Sequence, residues 1–403
     1  MKIGIIREGK VPPDSRVPLT PEQCKHIVKQ HPVQIVVQPS PNRCYKDEEY
    51  TAAGLPLTED LSDCDVLMGV KEVPIDQLLA NKRYFFFSHT IKEQAYNRSL
   101  LLAILDKSIQ LIDYEVLTDD RGRRLIAFGK FAGMVGAHNA MVTYGARTGA
   151  FTLQRMKDCY DYAEAKSIYK KITWPPVRIV LTGTGRVGMG AAQVLRDMGI
   201  LQVPSQDFLS RQFGEAVFTQ LECEEYVQRK DGEKMNRREF FNHPEDFESS
   251  FAPFTKVADI MINGIYWDNN APAFFSKEDM KQEDFNIEVI ADVTCDIAPV
   301  SSIPSTLRAS TIADPFFGYD PKTEAETAPF QENSIDMMTI DNLPNELPRD
   351  ASASFGEQFT KSILPELLKP GSAVIERATV AKDGQLGKHF GYLSNYVAGI
   401  AAG

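Results

Sequence analysis

The stretch VRIVLTGTGRVGMGAAQVLRDMG, residues 177–199, constrains the fold more than any other part of the chain. A compact apolar run leads into Gly183-Thr-Gly185-Arg-Val-Gly188, and an amphipathic run follows that Gly199 ends. This pattern reads as a buried strand, a glycine turn and a helix, the opening of a dinucleotide-binding unit. Gly183 permits the tight turn, Gly185 lets the backbone approach a pyrophosphate, and Gly188 permits close packing of helix on strand. The free N–H groups and positive dipole end of the helix favour the phosphates. The bland alternative is a glycine-rich turn in an α/β domain that binds nothing. Arg186, inside the turn, is placed either to meet a phosphate or to lie on the surface. A ribose-binding acid belongs at the end of the next strand, about 20 residues on. That strand reads ILQVPSQDF, with Val203, Pro204 and Gln206 at the position and Asp207 at its edge. Both NAD and NADP therefore stay open as cofactors.

A chain of 403 residues is too long for one ordinary core and suits two domains. In the first part, IGII (3–6), VQIVVQ (33–38), VLMGV (66–70), YFFFSH (84–89) and IQLIDYE (109–115) read as strands. They alternate with the helical stretches PEQCKHIVKQH (21–31) and AYNRSLLLAILDK (95–107), which points to a parallel sheet. Phe131 to Arg155, rich in glycine and alanine and free of proline, is expected to be a long helix leaving this domain. VADIMINGIYW (257–267) and IEVIADVT (287–294) read as further strands of the second domain. The charged, aromatic stretch 205–255 reads as an insertion. SASFGEQFTKSILPELLK has helical spacing and is expected to return to the first domain. The expected fold is α/β, with two Rossmann-like domains. Residues 1–130 with about 345–403 would form a discontinuous substrate and catalytic domain, and 131–344 the dinucleotide-binding domain.

The formal charge of −11 argues against a nucleic-acid partner, since phosphate-backbone affinity is supplied mostly by Lys and Arg. No apolar run approaches the ~20 residues of a membrane helix, and the apolar stretch Ile3 to Ile6 is far short of a signal-peptide core. The six cysteines, at 24, 44, 64, 159, 223 and 295, show no CxxC spacing. Neither a metal site nor a disulfide scaffold is expected, and a reducing cytoplasm is the simplest location.

Three apolar strands of the first domain end in polar residues: Lys71 and Glu72 after VLMGV, His89 after FFFS, and Glu115 in LIDYE. Parallel strands deliver their C-terminal ends to one edge, so these groups can share one cleft. Histidine and a desolvated lysine titrate near neutrality and suit proton transfer. Taken singly, each is a polar strand end at the surface. Arg16, Arg123 and Arg124 are candidate carboxylate clamps, or solvated arginines.

The chain also resembles the alanine dehydrogenase/transhydrogenase superfamily, within it the branch of lysine-forming saccharopine dehydrogenases and lysine–ketoglutarate reductases. The segments that carry the resemblance include SRVPLTP (15–21), GVKEVP (69–74), FFSHTIKEQ (86–94), LIDYE (111–115), GRRLIAFGKFAG (122–133), TGTGRVGMGA (182–191), INGIYWDNNAP (262–272), ADVTCDIAP (291–299) and SIDMMTIDNLPNELPRDAS (334–352). The resemblance implies two Rossmann-like domains with a cleft between them. The implied reaction is the reversible reductive condensation of L-lysine with 2-oxoglutarate to saccharopine, using NADH or NADPH. By position, Lys71 and His89 resemble the acid–base pair, tuned by Glu72 and Glu115. Arg16, Lys92 and Arg124, with Arg123 beside them, resemble the carboxylate binders, and Asp341 a residue near the substrate or cofactor. Gly183, Gly185, Arg186, Val187, Gly188, Tyr266 and Val293 resemble cofactor contacts. The partners implied are a small amino acid and a keto acid. The competing functions are an alanine dehydrogenase-like enzyme, a subunit passing hydride to a partner, and a non-catalytic NAD(P)-binding protein.

Overall fold

Strands covered on both faces need side chains that are apolar in both directions, and the short runs of this chain meet that need. In the computed structural model, which describes residues 1–400, contacts divide the chain into Met1–Phe128 with Pro348–Gly403, and Gly129–Leu347.

In the first unit, β1 (Lys2–Ile5), β2 (Gln34–Val37), β3 (Val66–Met68), β4 (Arg83–Phe86) and β5 (Gln110–Asp113) are buried over their last three residues. They pair in parallel in the order β2-β1-β3-β4-β5. The chain leaves β1 toward one side for β2 and returns to the other side for β3. Such a reversal opens a crevice at the C-terminal edge of the sheet, the usual place for a ligand in an open α/β fold.

The second unit begins with the helix Gly129–Thr148. Its strands are β6 (Arg178–Thr182), β7 (Leu201–Gln202), β8 (Val217–Leu221), β9 (Val227–Arg229), β10 (Phe247–Ser249), β11 (Ile260–Asn263), β12 (Val289–Asp292), β13 (Phe316–Asp320), β14 (Ala325–Thr327) and β15 (Ile335–Met338). β9 and β10 form a separate antiparallel pair, and the others make one sheet in the order β14-β13-β15-β12-β11-β6-β8-β7. Here the reversal lies between β6 and β11. The stretch 205–255 is not simply an insertion, because β8 is the direct parallel neighbour of β6. The expected strand ILQVPSQDF supplies only the exposed two-residue β7, and Asp207 lies in the helix Ser205–Ser210 beyond it, paired with Arg211.

The chain then re-enters the first unit. A helix Pro348–Gln358 runs through a π-helical turn, Phe359–Ile363, into Leu364–Leu368, and β16 (Thr379–Lys382) and β17 (Gln385–Leu386) extend the sheet antiparallel beyond β5. Phe355 stacks on Phe128 with centroids 4.5 Å apart and meets Tyr114 edge-on at 4.9 Å, while Phe359 meets Phe85 edge-on at 5.9 Å. Phe87 packs against Phe128, Tyr114 and Phe355. The aromatic run of FFFSHTIK therefore anchors β4 to the returning helix.

Within the second unit, His138 is fully buried in the helix Gly129–Thr148. Its Nε2–H donates to the Gln154 carbonyl at 2.8 Å, and its Nδ1 accepts from the Tyr169 hydroxyl at 2.8 Å. That pattern suits only the neutral ring, and burial pulls the imidazole down to about 4. The unfolded chain binds this proton near pH 6.5, so the contribution of His138 to stability is complete above that pH. It is lost as pH falls toward 4, about 3 kcal/mol in all. Urea unfolding of wild type and His138→Gln at pH 7 and pH 4.5 should show the smaller pH-dependent loss in the variant.

Candidate active site

The C-terminal ends of β1, β3 and β4 bring one set of charged side chains together. After β1 the chain runs Arg7-Glu8-Gly9-Lys10, and Glu8 accepts the backbone N–H of Val70 at 2.6 Å and of Lys71 at 2.8 Å. Burial, with Asp14 nearby, pushes the Glu8 carboxyl up to about 8. The same loop carries Asp14 and Arg16, both buried and joined by two hydrogen bonds, Nη2 to Oδ2 at 2.6 Å and Nε to Oδ1 at 3.0 Å. The Arg16 guanidinium lies 4.3 Å from the centre of the Phe128 ring.

Lys71 follows β3 in this crevice. Burial first, and then the charges of Arg16 and Lys10, lower its pKa below the usual lysine value, against the opposing pull of Asp14 and Glu72. Its neighbour Glu72 is gripped from two sides, by Lys10 Nζ at 2.8 Å and by His89 Nδ1 at 2.5 Å. Burial alone would raise the Glu72 carboxyl, but these hydrogen bonds overcome it and hold the group at about 2. A carboxylate only accepts, so Nδ1 of His89 carries the proton and Nε2 is left to exchange one with a substrate. His89 itself has φ 54° and ψ 5°, a left-handed conformation that non-glycine residues seldom adopt.

A second group adjoins the end of β5. Glu115 lies 3.4 Å from Lys92 Nζ and 3.8 Å from Arg124 Nη2, and the Arg124 guanidinium lies 5.9 Å from the Phe87 ring centre. Lys92 closes the single turn that begins at His89, its N–H donating to the His89 carbonyl at 3.1 Å. Arg123 takes a different course from its neighbour. It bonds Asp119 at 2.8 Å across a turn, with 71% of its side chain exposed, and is not brought to this cluster.

The glycine turn of the second unit follows β6. Gly183 has φ +92°, and a Cβ there would come 2.6 Å from the Gly264 carbonyl oxygen. A Cβ at Gly188 would lie 1.9 Å from the Gly183 carbonyl oxygen, so the helix Arg186–Asp197 can sit this close to β6 only with glycine at that point. Gly185 differs: a Cβ there would meet nothing within 4 Å. The first intrahelical bond runs from Met189 N–H to the Gly185 carbonyl at 2.8 Å, so the opening turn presents its amides at that open space. A dinucleotide pyrophosphate fits these residues. Val187 lies in the turn that packs on Gly133 of the helix Gly129–Thr148, where a Cβ would come 1.8 Å from the Val187 carbonyl oxygen. Val293, just past β12, donates its N–H to the Asn263 carbonyl at 3.0 Å and packs against Gly136. Tyr266 is 81% exposed, and Asp341 is exposed, its N–H 3.4 Å from the Ser310 carbonyl. Beneath these loops, fully buried Asp292 accepts from Asn263 at 3.0 Å, Thr294 Oγ1 at 2.6 Å and Thr306 at 2.7 Å, which ties the ends of β11 and β12 together.

Sequence reading missed four of these residues. Glu8, Lys10 and Asp14 stand just past β1, in the same strand-end position that drew attention to Lys71 and His89. Glu222 is the fourth. It directly follows β8, whose last residue, Leu221, pairs with Thr182 at the end of β6. That is the register of the ribose-binding acid absent from ILQVPSQDF. Arg237 holds Glu222 at 2.6 Å and Glu224 at 2.9 Å.

Residues 4–135 match the family described as alanine dehydrogenase/PNT, N-terminal domain. Over these residues the chain carries the N-terminal domain of that family. An L-alanine dehydrogenase structure superposes with a TM-score of 0.67 over 100% of both chains at 15% identity. The transhydrogenase of Sinorhizobium meliloti gives 0.58 over 96% of this chain and 98% of that one at 13% identity. These two likenesses establish the two-domain Rossmann-like fold. In sequence, the chain is 30% identical over 404 residues to the alpha-aminoadipic semialdehyde synthase of Arabidopsis thaliana, covering 88% of this chain but 37% of that protein. The Mus musculus protein of that name is 30% identical, with coverage of 90% and 43%. The chain thus spans less than half the length of these relatives. The saccharopine dehydrogenase [NAD(+), L-lysine-forming] of Emericella nidulans is 28% identical, with coverage of 91% and 92%. Among the described residues no helix is long and apolar enough to cross a membrane, and no group of three or more His, Cys, Asp or Glu side chains is placed to hold a metal ion.

Proposed function

We propose that the protein is an NAD(P)-dependent oxidoreductase of the saccharopine dehydrogenase type, acting on a CH–NH group. Its reaction joins the ε-amine of L-lysine to the carbonyl carbon of 2-oxoglutarate, with loss of water and gain of hydride, and runs in either direction. The observation that carries this reading is a half-buried lysine of lowered pKa, Lys71, whose neighbour in sequence, the ionised Glu72, holds Nδ1 of His89. The likeness to lysine-forming saccharopine dehydrogenase over nearly the whole of both chains supports the choice of substrates.

The geometry supports the following roles. Neutral Lys71 takes the proton that the attacking amine loses, and His89, through Nε2, gives one to the departing hydroxyl of the carbinolamine, so that water leaves and the C=N bond forms. Glu72 keeps the imidazole in one tautomer, and Lys10 keeps Glu72 charged. Arg16, Lys92 and Arg124 supply cations for substrate carboxylates, with Glu115 placing the last two. A bound nicotinamide supplies the hydride that reduces the C=N bond. The substrate domain would be residues 1–130 with about 345–403, and the cofactor domain 131–344.

Glu222 favours NADH, since a carboxylate at this position accepts from a ribose 2′-hydroxyl and repels a 2′-phosphate. Glu222→Ala should raise the Kd for NADH about tenfold or more, the loss of one charge-assisted hydrogen bond, and leave thermal stability unchanged. Fluorescence titration with NADH and NADPH reads this directly; an unchanged ratio of the two affinities would rule out the assignment of Glu222.

The reaction is tested by following NADH and NADPH oxidation with L-lysine and 2-oxoglutarate, singly and together, with pyruvate plus ammonium as control. A requirement for both lysine and 2-oxoglutarate supports the proposal. Turnover with pyruvate and ammonium alone would move the chain to the alanine dehydrogenase type, and binding without turnover would leave a nucleotide-binding protein.

A further inference from the structure

The loop that carries His89 and Lys92 is held in an unfavourable shape. His89 and Glu93 both lie at φ 54° and bracket a single 3₁₀ turn, Thr90–Lys92. Two left-handed non-glycine residues within five positions persist only where the surroundings hold them. One end of the loop is fixed from within the sheet. The Ser88 N–H and Oγ bond Asp113 Oδ2 at 3.0 and 2.6 Å, and Ser88 Oγ lies 2.7 Å from Thr90 Oγ1.

The other end is fixed by a segment some 300 residues away in sequence. The Tyr396 hydroxyl donates to the Gln94 carbonyl at 2.6 Å, and the Tyr392 hydroxyl to the Ile91 carbonyl at 3.3 Å. Both tyrosines belong to the turn Gly391–Leu393 and the short helix Ser394–Ala398. Arg98, which opens the helix following the loop, forks back onto that short helix. Its Nε donates to the Tyr396 carbonyl and its Nη2 to the Val397 carbonyl, each at 2.7 Å. The clasp is reciprocal: the loop's own helix caps the segment, and the segment pins two carbonyls of the loop. The Ile91 carbonyl lies directly before Lys92, so releasing it frees the turn that sets Lys92 against Glu115 and His89 against Glu72.

We infer that Gly391–Ala398 is a strap that positions the catalytic loop, with Tyr392 and Tyr396 as positioning residues and Arg98 as their anchor. The inference rests on the functional reading above for the roles of His89 and Lys92. It adds that the competence of these residues is set from a distant part of the chain, through two hydroxyl groups and one guanidinium.

The test uses the full-length protein carrying Tyr392→Phe with Tyr396→Phe, which keeps both rings and their packing, and separately Arg98→Ala. Amide hydrogen exchange is measured by mass spectrometry beside kcat, KM for 2-oxoglutarate and Kd for NADH. Exchange within residues 89–97 should rise about tenfold, and KM for the keto acid should rise about five- to tenfold, as expected for lost hydrogen bonds of ordinary strength. The Kd for NADH should not change. Unchanged exchange in 89–97 would overturn the inference. So would a rise spread evenly over the first unit with KM unchanged, since that marks a merely structural contact. If wild-type protein turns over no amine and keto acid pair, the functional reading fails, and the exchange pattern alone decides whether the strap holds the loop.

Discussion

Replacing Lys71 with methionine is expected to lower kcat by about 10²–10³-fold, the usual worth of a positioned acid or base, and to leave the Kd for NADH unchanged. Methionine matches the length and burial of the lysine stem and removes only the amine, so the variant should fold. His89→Gln should cause a loss of similar size. The double variant should be little worse than either single one, because the base and the acid act as a unit in forming the C=N bond. The pH profile separates this account from a simple loss of shape. Burial, Arg16 and Lys10 all favour the neutral amine of Lys71, so wild-type kcat/KM should rise with pH and level off below the ordinary lysine value. In Lys71→Met that limb should vanish. If either single variant keeps full rate between about pH 6 and pH 10, the acid–base assignment is wrong.

The second large effect separates two glycines of the same turn. Gly188→Ala places a methyl 1.9 Å from the Gly183 carbonyl oxygen, a backbone atom that cannot swing aside. The helix Arg186–Asp197 would have to lift from β6 and from the helix Gly129–Thr148, where Gly190 and the Lys130 carbonyl make an equally tight contact. A loss of about 3 kcal/mol or more is expected, at the upper end for overpacking, together with loss of NADH binding. Gly185→Ala meets no protein atom within 4 Å. It should keep the wild-type melting temperature and weaken NADH binding more than tenfold, because its methyl enters the space a pyrophosphate needs. Thermal melts and NADH titration of the two variants check this. Equal NADH affinity in Gly185→Ala and wild type would mean that the nucleotide does not approach the turn.

The features legible in the sequence were those written in local pattern. The alternation of short apolar runs with helical stretches announced parallel sheets, and a glycine turn between strand and helix allows little else. Strand ends were legible too where an apolar run stopped abruptly, as at Val70 and Phe87. Glu8, Lys10 and Asp14 escaped because the run Ile3 to Ile6, although read as a strand, is short, and the polar residues just past its end were not weighed. Glu222 escaped for a topological reason. The nearer strand by sequence, β7, is a two-residue edge, whereas the true neighbour of β6 is β8, set in a charged and aromatic stretch without clear period. Arg123 and Arg124 show a third limit. An isolated antiparallel bridge pairs Thr118 with Arg124, and neighbours in extended chain face opposite ways. One arginine therefore reaches Glu115 and the other Asp119, a choice that adjacent identical residues cannot reveal.

The central claim is that lysine nitrogen becomes bonded to the carbon of a keto acid. L-lysine labelled with nitrogen-15 at the ε position, incubated with the protein, 2-oxoglutarate, NADH and unlabelled ammonium, puts it to the most direct test by mass spectrometry. The account predicts a product with the mass of saccharopine that retains the heavy nitrogen, formed in step with NADH consumed. Consumption of NADH with only unlabelled amino acid formed from ammonium would contradict it.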